Sequence, residues 1–472
     1  MSFSRRRFLA ASAAALGFPM VANSRVLAAN DEVRVGLVGL GGRGVGAHLP
    51  GFQSQPGVSV VAICDPDQDR LSSTAEMIKV KHGHDVEQYT DVRELLERSD
   101  IDCVANATQN YWHGLSTIWA CEAGKHVYCE KPLSHYIWEG RQMVNAARRH
   151  NRIVQCGTQR RSQTSIRDGI AWIQAGNLGK IERIYAFANK GRNSCGKRAT
   201  PLELPASLDY ELWCGPARKE PIYRDRLQYD CSFLWNTGDG ESCNQGVHEM
   251  DIARWCLGET WPRRVMSLGG RFVFDDACDV PNTQIIYYDF AAAPVLYEVH
   301  NLRQARDDTA MPDFRGEGVG VIVECEGGSV SLYRGLAMDR DGKEVARFSG
   351  NEDHFVNFVQ AVRSGRREDL NAEIEVGHLS TAVCHAGNIS LRVGQAAPPE
   401  QQRAQVGEIP ELEQMYDRFA AHLEAHEVDL NTVTLGPWLE LDAEHECFRD
   451  DERANEIVRG YYREPFQVKE IV

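Results

Sequence analysis

Length, composition and charge narrow the class of protein. The chain has 472 residues, of which 43% are hydrophobic and 25% are charged, so it is long enough for two or three domains with buried cores. A formal net charge of -15 argues against the basic surface that phosphate recognition requires, and we expect no nucleic-acid partner. The expected ligand is a polar or neutral small molecule.

The first residues resemble a twin-arginine export signal. Ser4-Arg5-Arg6-Arg7-Phe8-Leu9 precedes a weakly apolar run over 10–21 and a small-residue cleavage segment over 26–29. The run is shorter than the roughly 20 residues that span a bilayer, and no later segment reaches that length, so we expect no stable membrane insertion. We predict a signal peptide over 1–29, the twin-arginine machinery as a partner, and a periplasmic or otherwise exported protein.

That export route carries folded proteins, which implies that any cofactor crosses the membrane already bound and is recycled in place. The fourteen cysteines are dispersed, and many free thiols favour folding in a reducing compartment before export. No CxxC pair and no Cys/His cluster at zinc spacing occurs, so we predict no metal site and interpret most cysteines as small buried apolar residues.

From residue 32 to about 156, short apolar runs alternate with helical stretches. The strand-like runs are 33–38, 58–64, 102–106, 126–129 and 153–156, with helices such as 67–79 and 138–149 between them. This alternation is typical of a parallel, doubly wound sheet. We predict an α/β Rossmann domain over residues 30–156.

Beyond Gly179 the pattern changes to long alternating strands. The predicted strands are 181–190, 263–274, 283–290, 295–302 and 320–325, with helices over 352–363 and 375–393 and a loop-rich insertion over 191–240. We predict an α+β substrate domain over 157–394 with a large open, mainly antiparallel sheet. Residues 395–472 form a predicted extension over the body or a neighbouring subunit, and since an exposed sheet face commonly pairs with a copy of itself, we expect a homo-oligomer.

A glycine-rich turn joins the first strand to a helix. The motif is GxGxxG, in which Gly39, Gly41, Gly42, Arg43 and Gly44 are the predicted cofactor-binding residues. Glycines here allow a tight turn and let backbone N–H groups and the helix N-terminus approach a pyrophosphate. Asp65, at the end of the second strand, is placed to accept hydrogen bonds from ribose hydroxyls and to repel a 2′-phosphate, which favours NAD over NADP.

Two further segments resemble the signature of the Gfo/Idh/MocA oxidoreductases. The sequence ATQNYWH at 107–113 is similar to the family's ATPxxxH, and Glu130-Lys131-Pro132 is its EKP; CNQGVHEMDIARW at 243–255 and a closing helix over 375–392 extend the resemblance. The resemblance implies a Rossmann domain with bound NAD. The cofactor-lining residues it implies are Thr108, Gln109, Trp112, His113, Glu130 and Lys131, although His113 could instead cap its helix.

The resemblance also implies the catalytic residues. The EKP lysine, Lys131, would lie beside the nicotinamide and the substrate hydroxyl, and His248 would accept the hydroxyl proton. The family's Asp, four residues before that His, is Asn244 here; an amide can bind a hydroxyl but cannot act as a base. The predicted substrate contacts are Lys131, Arg160, Asn244, His248 and Asp251, the last on the helix face of His248.

Other residues allow two interpretations. Arg160, Arg161, Lys190 and Arg192 could bind an acidic group of the substrate or could pair with the excess acidic residues. Tyr210, Trp213 and Trp235 could stack on a sugar or pack in the protein.

The leading hypothesis is an NAD-dependent oxidoreductase acting on a hydroxyl of a sugar, cyclitol or glycoside. An alternative is an NAD-dependent glycosidase, as in some relatives of the family, which oxidises the sugar transiently, eliminates the aglycone, adds water and returns the hydride. A third hypothesis is a non-catalytic sugar-binding module, which the amide at Asn244 keeps open.

Overall fold

The computed structural model describes residues 32–472, so the predicted signal peptide over 1–29 lies outside the described residues. Two β-sheets with their flanking helices make up the described chain. None of the helices in residues 32–472 combines the length and the apolar character needed to cross a membrane.

The first sheet is parallel and has six strands in the order β3-β2-β1-β4-β5-β6. Its strands are β1 (Val33–Val38), β2 (Val58–Cys64), β3 (Glu87–Tyr89), β4 (Cys103–Asn106), β5 (His126–Cys129) and β6 (Val154–Cys156). This is the doubly wound order of dinucleotide-binding domains, so the predicted fold class is confirmed. The central strands read as continuous apolar runs because helices cover both faces.

The helices of the first domain lie between these strands. A π-helical turn (Gly44–His48) leads into α1 (Leu49–Gln53), followed by α2 (Gln68–His82), α3 (Val92–Leu96), α4 (Asn110–Glu122) and α5 (Ile137–Arg149). The carboxylate of Asp67 caps α2 by accepting a hydrogen bond from the Asp69 N–H, and Gly83, with φ of 77°, ends it. Helix α2 therefore runs three residues beyond the predicted end.

The second sheet has twelve strands. They are β7 (Ile181–Asn189), β8 (Arg264–Gly270), β9 (Thr283–Asp289), β10 (Val295–His300), β11 (Val319–Cys325), β12 (Gly328–Ser331), β13 (Leu336–Asp339), β14 (Glu344–Arg347), β15 (Gln395–Ala396), β16 (Thr434–Leu435), β17 (Leu439–Asp442) and β18 (Cys447–Phe448). Only β7 and β10 pair in parallel among these described strands, so the mainly antiparallel sheet is confirmed. Strand β8 ends before the predicted 274, since Val273 adopts a positive φ of 70°.

Helices pack on both faces of this sheet and between the domains. They are α6 (Thr164–Gln174), α7 (Tyr210–Cys214), α8 (Gly240–Asn244), α9 (Gly246–Leu257), α10 (His354–Ser364), α11 (Ile374–Val393), α12 (Pro399–Val406), α13 (Pro410–Glu424) and α14 (Glu452–Arg459). Helix α11 is buried along nearly its whole length because it packs against α5, α9 and β8 at once. Helix α10 falls in the predicted range 157–394, but Phe358 and Val359 on it pack into the core of the first sheet.

The C-terminal extension covers a face of the second sheet. Alternate residues of its strands point to opposite sides: Ile184 and Ile286 face the inner core, whereas Tyr185 and Ile285 face the extension. Helices α12 and α13 cover the second set with side chains such as Phe419, which is fully buried. The exposed face on which the expectation of a homo-oligomer rests is therefore covered here by the same chain, and the oligomer itself stays a prediction.

Candidate functional site

A cleft of about 400 Å³ lies at the carboxyl ends of the parallel strands. Gly39, Asp65, Ala107 and Glu130 each follow directly on the last residue of β1, β2, β4 or β5, and all four line it. Open α/β sheets bind ligands at this edge. The second domain closes the opposite wall with Leu212, Gln228, Tyr229, Cys231, Ser232, Asn244 and His248.

The glycine-rich turn leaves an open cradle. Gly39 has φ of 87°, and a Cβ added to Gly44 would lie 1.9 Å from the Gly39 carbonyl oxygen, so neither position admits a side chain in this backbone. A Cβ added to Gly41 or Gly42 would meet no atom within 4 Å. The motif thus divides into two glycines that allow the turn to close and two that keep its surface bare toward the cleft.

Asp65 lines the cleft beside the glycine-rich turn. Its Oδ2 accepts a hydrogen bond from the Leu40 N–H (2.8 Å) and its Oδ1 accepts one from the Asp67 N–H (3.0 Å). Burial raises the pKa of this carboxyl group, while the two backbone donors oppose the shift. These bonds fix the carboxylate against the glycine-rich turn.

Glu130 is a buried hub at the centre of the cleft. Its Oε1 accepts hydrogen bonds from Arg43 Nε (2.6 Å), His48 Nε2 (3.0 Å) and Gln159 Nε2 (3.0 Å). Burial alone would raise the pKa of Glu130, but the His48 hydrogen bond and the Arg43 charge hold the pKa below its usual value. The ionised carboxylate ties the glycine-rich turn to the EKP segment.

Lys131 reaches across the cleft to the second domain. Its Nζ donates to the backbone carbonyl of Asn244 (2.7 Å) and to Asn244 Oδ1 (3.1 Å). Burial lowers the pKa of the ammonium group, and the charges of Glu130 and Glu241 oppose that shift. Both acceptors are neutral, so Lys131 has no direct carboxylate partner among the hydrogen bonds of the described residues.

His248 lies on α9 and lines both this cleft and a neighbouring one. Burial, followed by the charge of Lys131, lowers its pKa well below the usual 6.5, so the ring is neutral at pH 7. Its Nδ1 is buried without a hydrogen-bond partner in the structure. A neutral imidazole that lines a cleft can act as a proton acceptor.

Asn244 connects Lys131 of the first domain to Tyr229 of the second. Its amide donates to the Tyr229 hydroxyl (3.0 Å) and, at 3.4 Å, to Glu241 Oε1, while its oxygen accepts from Lys131. Glu241 is also held in a bidentate ion pair with Arg192. The carboxylate expected from the family pattern is thus replaced by an amide that uses both of its ends.

Within the ATQNYWH segment, His113 connects the two motifs. Its Nδ1 donates to the Pro132 carbonyl oxygen (2.7 Å), and the Nε1–H of Trp112 donates to the Leu212 carbonyl oxygen (3.1 Å). Gln109 Nε2 approaches Gln228 Oε1 of the second domain at 3.4 Å. His113 therefore lies in the cleft wall and does more than cap its helix.

The fold brings most of the predicted site residues together. Those lining the cleft are Gly39, Gly41, Gly42, Arg43, Asp65, Thr108, Gln109, Trp112, His113, Glu130, Lys131, Asn244 and His248. Gly44 packs behind the turn. Arg160 lines the neighbouring cleft of about 350 Å³, which shares Gln159 and His248 with the first, and its guanidinium lies over the Tyr333 ring (4.0 Å).

Asp251 does not reach either cleft, which corrects its prediction as a substrate contact. The side chain is fully buried, accepts from Arg161 Nε (2.8 Å) and from the Ser380 hydroxyl (2.7 Å), and ties α9 to α11. A spacing of three residues puts it near the face of His248, but the helix packs that part of the face into the protein. Arg161 is accordingly engaged by an acid.

The remaining open interpretations are decided by packing. Arg192 pairs with Glu241, and Lys190 Nζ donates to Gln245 Oε1 (3.1 Å). The Tyr210 ring stacks on the buried Trp213 (5.6 Å). Neither aromatic residue lines the cleft.

Some cleft residues have no signature in the sequence. Tyr229, Gln228 and Ser232 come from the mostly irregular connection between α7 and α8, and only the fold carries them to the first domain. Gln159, by contrast, lies directly before Arg160, which is a predicted substrate contact. The described residues also contain one group of possible metal ligands, Cys195, Asp276 and Cys278, whose ligand atoms lie within 4.8 Å of one another although the residues are distant in sequence.

Comparison with known proteins agrees with this geometry. Residues 33–158 match the Gfo/Idh/MocA family model, described as an oxidoreductase family with an NAD-binding Rossmann fold. The match covers the first domain only, from β1 to just beyond β6. The glycine-rich turn, Asp65, ATQNYWH and EKP all lie inside this NAD-binding domain.

Relatives of the NAD-binding domain include a glycosyl hydrolase family 109 protein of Shewanella pealeana, 37% identical over 123 residues. The match covers 25% of this chain and 27% of that protein. The chain thus matches only about a quarter of the length of this curated relative.

Two solved structures share the fold over a larger part of the chain. The WlbA dehydrogenase from Bordetella pertussis, in complex with NADH and UDP-GlcNAcA, has a TM-score of 0.55 and 18% identity, and covers 75% of this chain and 95% of its own. Levoglucosan dehydrogenase, in complex with NADH and levoglucosan, has a TM-score of 0.56 and 18% identity, with 75% and 96% covered. At these identities the likeness establishes the two-domain fold.

Proposed function

We propose that the protein transfers a hydride between a hydroxyl-bearing carbon of a sugar, cyclitol or glycoside and NAD held in the cleft. One observation carries this proposal: the half-buried Lys131 ammonium group and the neutral His248 ring line the same cleft as the glycine-rich turn and Asp65. A cation and a proton acceptor at one end of a dinucleotide cleft are the groups that oxidation of an alcohol requires.

The residues of the cleft fit the cofactor. The bare surface over Gly41 and Gly42 leaves room for a pyrophosphate, and the Asp65 carboxylate, which lines the same cleft, would accept hydrogen bonds from the ribose hydroxyls. An acid there repels a 2′-phosphate, which favours NAD over NADP. Replacement of Asp65 by Ser should raise the affinity for NADP relative to NAD by at least about 10-fold, measured by titration of both nucleotides; an unchanged ratio would contradict the assignment of Asp65.

Bound NAD would supply the hydride acceptor. Lys131 lies where its ammonium group can donate to the reacting oxygen, and its charge lowers the pKa of that hydroxyl. His248, neutral at pH 7, would accept the proton. Asn244 orients the lysine through its backbone carbonyl and its side-chain oxygen, and it offers an amide rather than a base to the substrate.

The same groups support a second function, a redox-assisted glycosidase. It is favoured by the curated relatives of the NAD-binding domain, which carry the name glycosyl hydrolase family 109. In this cycle the sugar is oxidised transiently, the aglycone is eliminated, water adds, and the hydride returns. The substrate would then be a glycoside, and no nicotinamide would stay reduced at the end.

The test uses the purified protein with its bound nucleotide. Mass spectrometry determines the nucleotide content, and a panel of free sugars and nitrophenyl glycosides is followed by the absorbance of reduced nicotinamide and of nitrophenolate. Lasting reduction by a free sugar supports the oxidoreductase, and nitrophenolate release without lasting reduction supports the glycosidase. Bound sugar without turnover of any panel member would point to the sugar-binding module.

Replacement of Lys131 by Met should lower kcat at least about 100-fold on the best panel member, because the reacting oxygen loses the hydrogen bond and the positive charge that lower its pKa. The nucleotide content should stay unchanged. A Lys180→Met variant is the matched control, since Lys180 is exposed and does not line the cleft. Full activity of the Lys131→Met variant would refute the proposed mechanism.

We further propose export by the twin-arginine route with the nucleotide already bound, on the basis of the sequence at 4–9. Conservative replacement of Arg5 and Arg6 together by Lys should abolish accumulation of processed protein in the periplasm, whereas the matched Arg7→Lys variant should leave it unchanged. Equal export of the unmodified protein and of both variants would exclude this route. We also propose that the substrate is a carbohydrate and that the protein is a homo-oligomer.

A further inference from the structure

Two distant segments run side by side at the edge of the second domain. Cys195 lies near the start of the segment that follows β7, and Cys278 lies in the connection from β8 to β9. The Ala277 N–H donates to the Gly196 carbonyl oxygen (3.0 Å), and the Sγ atoms of the two cysteines are within 4.8 Å of each other. These thiols are therefore neighbours in the fold although 83 residues separate them in the chain.

One carboxylate holds both cysteine backbones. Oδ2 of Asp276 accepts from the Cys195 N–H (3.0 Å), and its Oδ1 accepts from the Cys278 N–H (3.3 Å). Arg271 forms a bidentate ion pair with the same carboxylate, and the Ser194 hydroxyl donates to it (3.0 Å). The two backbones are thus fixed in register by bonds that do not involve the sulfur atoms.

This arrangement disfavours a metal ion at the same place. Five donors already occupy the two oxygens of Asp276, and a metal would have to displace the Arg271 guanidinium from a buried ion pair. Without the carboxylate, two thiolates remain, whereas structural zinc sites use four protein ligands. The geometry leaves the two sulfur atoms to react with each other.

We propose that Cys195 and Cys278 form a disulfide bond when the folded protein meets an oxidising disulfide, such as oxidised glutathione or the disulfide of an oxidase. The Cys195 thiolate attacks one sulfur of that reagent and releases one thiol, which gives a mixed disulfide. Cys278 then loses its proton, attacks Sγ of Cys195 and releases the second thiol. One protein disulfide forms, and the reagent takes up two electrons and two protons.

The local chemistry selects this pair. A hydrogen bond from the Cys278 thiol and the charge of Arg271 lower the pKa of the Cys195 thiol, which favours the attacking thiolate. Cys195 and Cys278 are themselves buried, but they belong to a small cluster outside the sheet core. Cys243 and Cys384 are also close neighbours, but they lie within the sheet core, where burial raises the pKa of Cys243 well above its usual value. That second pair is expected to stay reduced.

The bond would anchor a wall of the cleft. Cys195 precedes the irregular segment that carries Gln228, Tyr229 and Ser232 to the cofactor domain, and Cys278 belongs to the second sheet's own connection. A covalent link there shortens the part of this segment that is free to move. It also reduces the conformational freedom of the unfolded chain, so the oxidised protein should unfold at a higher temperature.

The experiment oxidises protein made in a reducing cytoplasm with a glutathione buffer, which makes the result independent of the export proposal. After denaturation, alkylation and digestion, mass spectrometry should find one peptide pair linked through Cys195 and Cys278, two hydrogens lighter than the free peptides, with Cys243 and Cys384 alkylated. The Tm should rise by several degrees on oxidation. The Cys195→Ser variant should lose both the link and the rise.

The matched control is Cys447→Ser, because Cys447 is half-buried and belongs to neither close pair. This variant should keep the link and the rise in Tm. Recovery of Cys195 and Cys278 as alkylated free thiols after equilibration with oxidised glutathione would overturn the proposal. Stoichiometric metal that the Cys195→Ser variant loses would overturn it as well, in favour of a metal site.

Discussion

Lys131 and His248 line the same cleft, so a positive charge on one group disfavours a positive charge on the other. The charge of Lys131 is one of the causes that lower the pKa of His248, after burial itself. Proton transfer from a bound hydroxyl to the ring would therefore place two positive charges close together. The ionised Glu130 next to Lys131 offsets part of this repulsion.

These shifts predict the pH dependence of kcat/KM. His248 must be neutral and its pKa is lowered, so the acid limb should fall below pH 6.5. Lys131 must be protonated and its pKa is also lowered, so the alkaline limb should fall below pH 10.5. The measurement is initial rate against pH at low substrate; an acid limb above 6.5, or one that persists in a His248→Asn variant, would contradict the assignment.

Replacement of Asn244 by Asp restores the carboxylate of the family pattern 3.1 Å from Lys131 Nζ. A negative charge at that distance stabilises the ammonium group, so the pKa of Lys131 should rise and the alkaline limb should move to higher pH. Asn177→Asp, on the exposed surface, adds the same charge elsewhere and should leave the profile unchanged. An unmoved alkaline limb in the Asn244→Asp variant would show that Lys131 does not set it.

At the scale of elements, the strand–turn–helix unit of the first domain depends on the close approach of Gly44 to Gly39. Replacement of Gly44 by Ala places a Cβ 1.9 Å from the Gly39 carbonyl oxygen, so the turn must open and nucleotide affinity should fall at least about 10-fold. Nucleotide titration with Gly46→Ala is the control, since a Cβ on this exposed glycine meets no atom within 4 Å. Equal losses in the two variants would remove the steric explanation.

Helix α9 illustrates how one element serves two purposes. His248 faces the cleft, whereas Asp251, one turn later, accepts hydrogen bonds from Arg161 and Ser380 in the interior. Their positions differ because α9 crosses the edge of the cleft and continues beneath α11. Buried carboxylates of this kind hold elements in register, and their loss leaves unpaired charges.

At the scale of the whole molecule, the extension over 395–472 completes both domains. Helices α12 and α13 cover the second sheet, and Phe466 packs edge-to-face against Trp112 of the cofactor domain (5.4 Å). Trp112 lines the cleft, so the end of the chain supports the nucleotide site from behind. The extension therefore acts as part of the core of each domain.

Replacement of Phe419 by Ala should lower the free energy of unfolding by about 3–5 kcal/mol, because a fully buried aromatic side chain leaves a cavity between α13 and the sheet. The measurement is chemical denaturation monitored by tryptophan fluorescence. Gln414→Ala, on the exposed side of the same helix, should change the stability by less than about 0.5 kcal/mol. Similar stabilities for both variants would mean that α13 does not pack on the sheet in solution.

The sequence by itself determined the first domain almost completely. Five of its six strands, the glycine-rich turn, Asp65 and EKP follow one another at short range, and the period of apolar residues with the positions of glycines and acids is enough to predict them. The sixth strand, β3, was not predicted, because it has only three residues and no buried side chain. The antiparallel character of the second sheet also followed from alternation within single strands. Each of these features is local in the chain.

Only the tertiary structure decided which distant residues meet. The wall formed by Tyr229, the burial of Asp251 and the approach of Cys195 to Cys278 join positions that no period or motif relates. The covered face of the second sheet is a similar case. The apolar pattern of α13 predicts that the helix packs against a sheet, but it does not say whether that sheet belongs to the same chain or to a neighbouring one. Such contacts depend on how whole elements pack, and side-chain shape and connection length, rather than local pattern, select one packing.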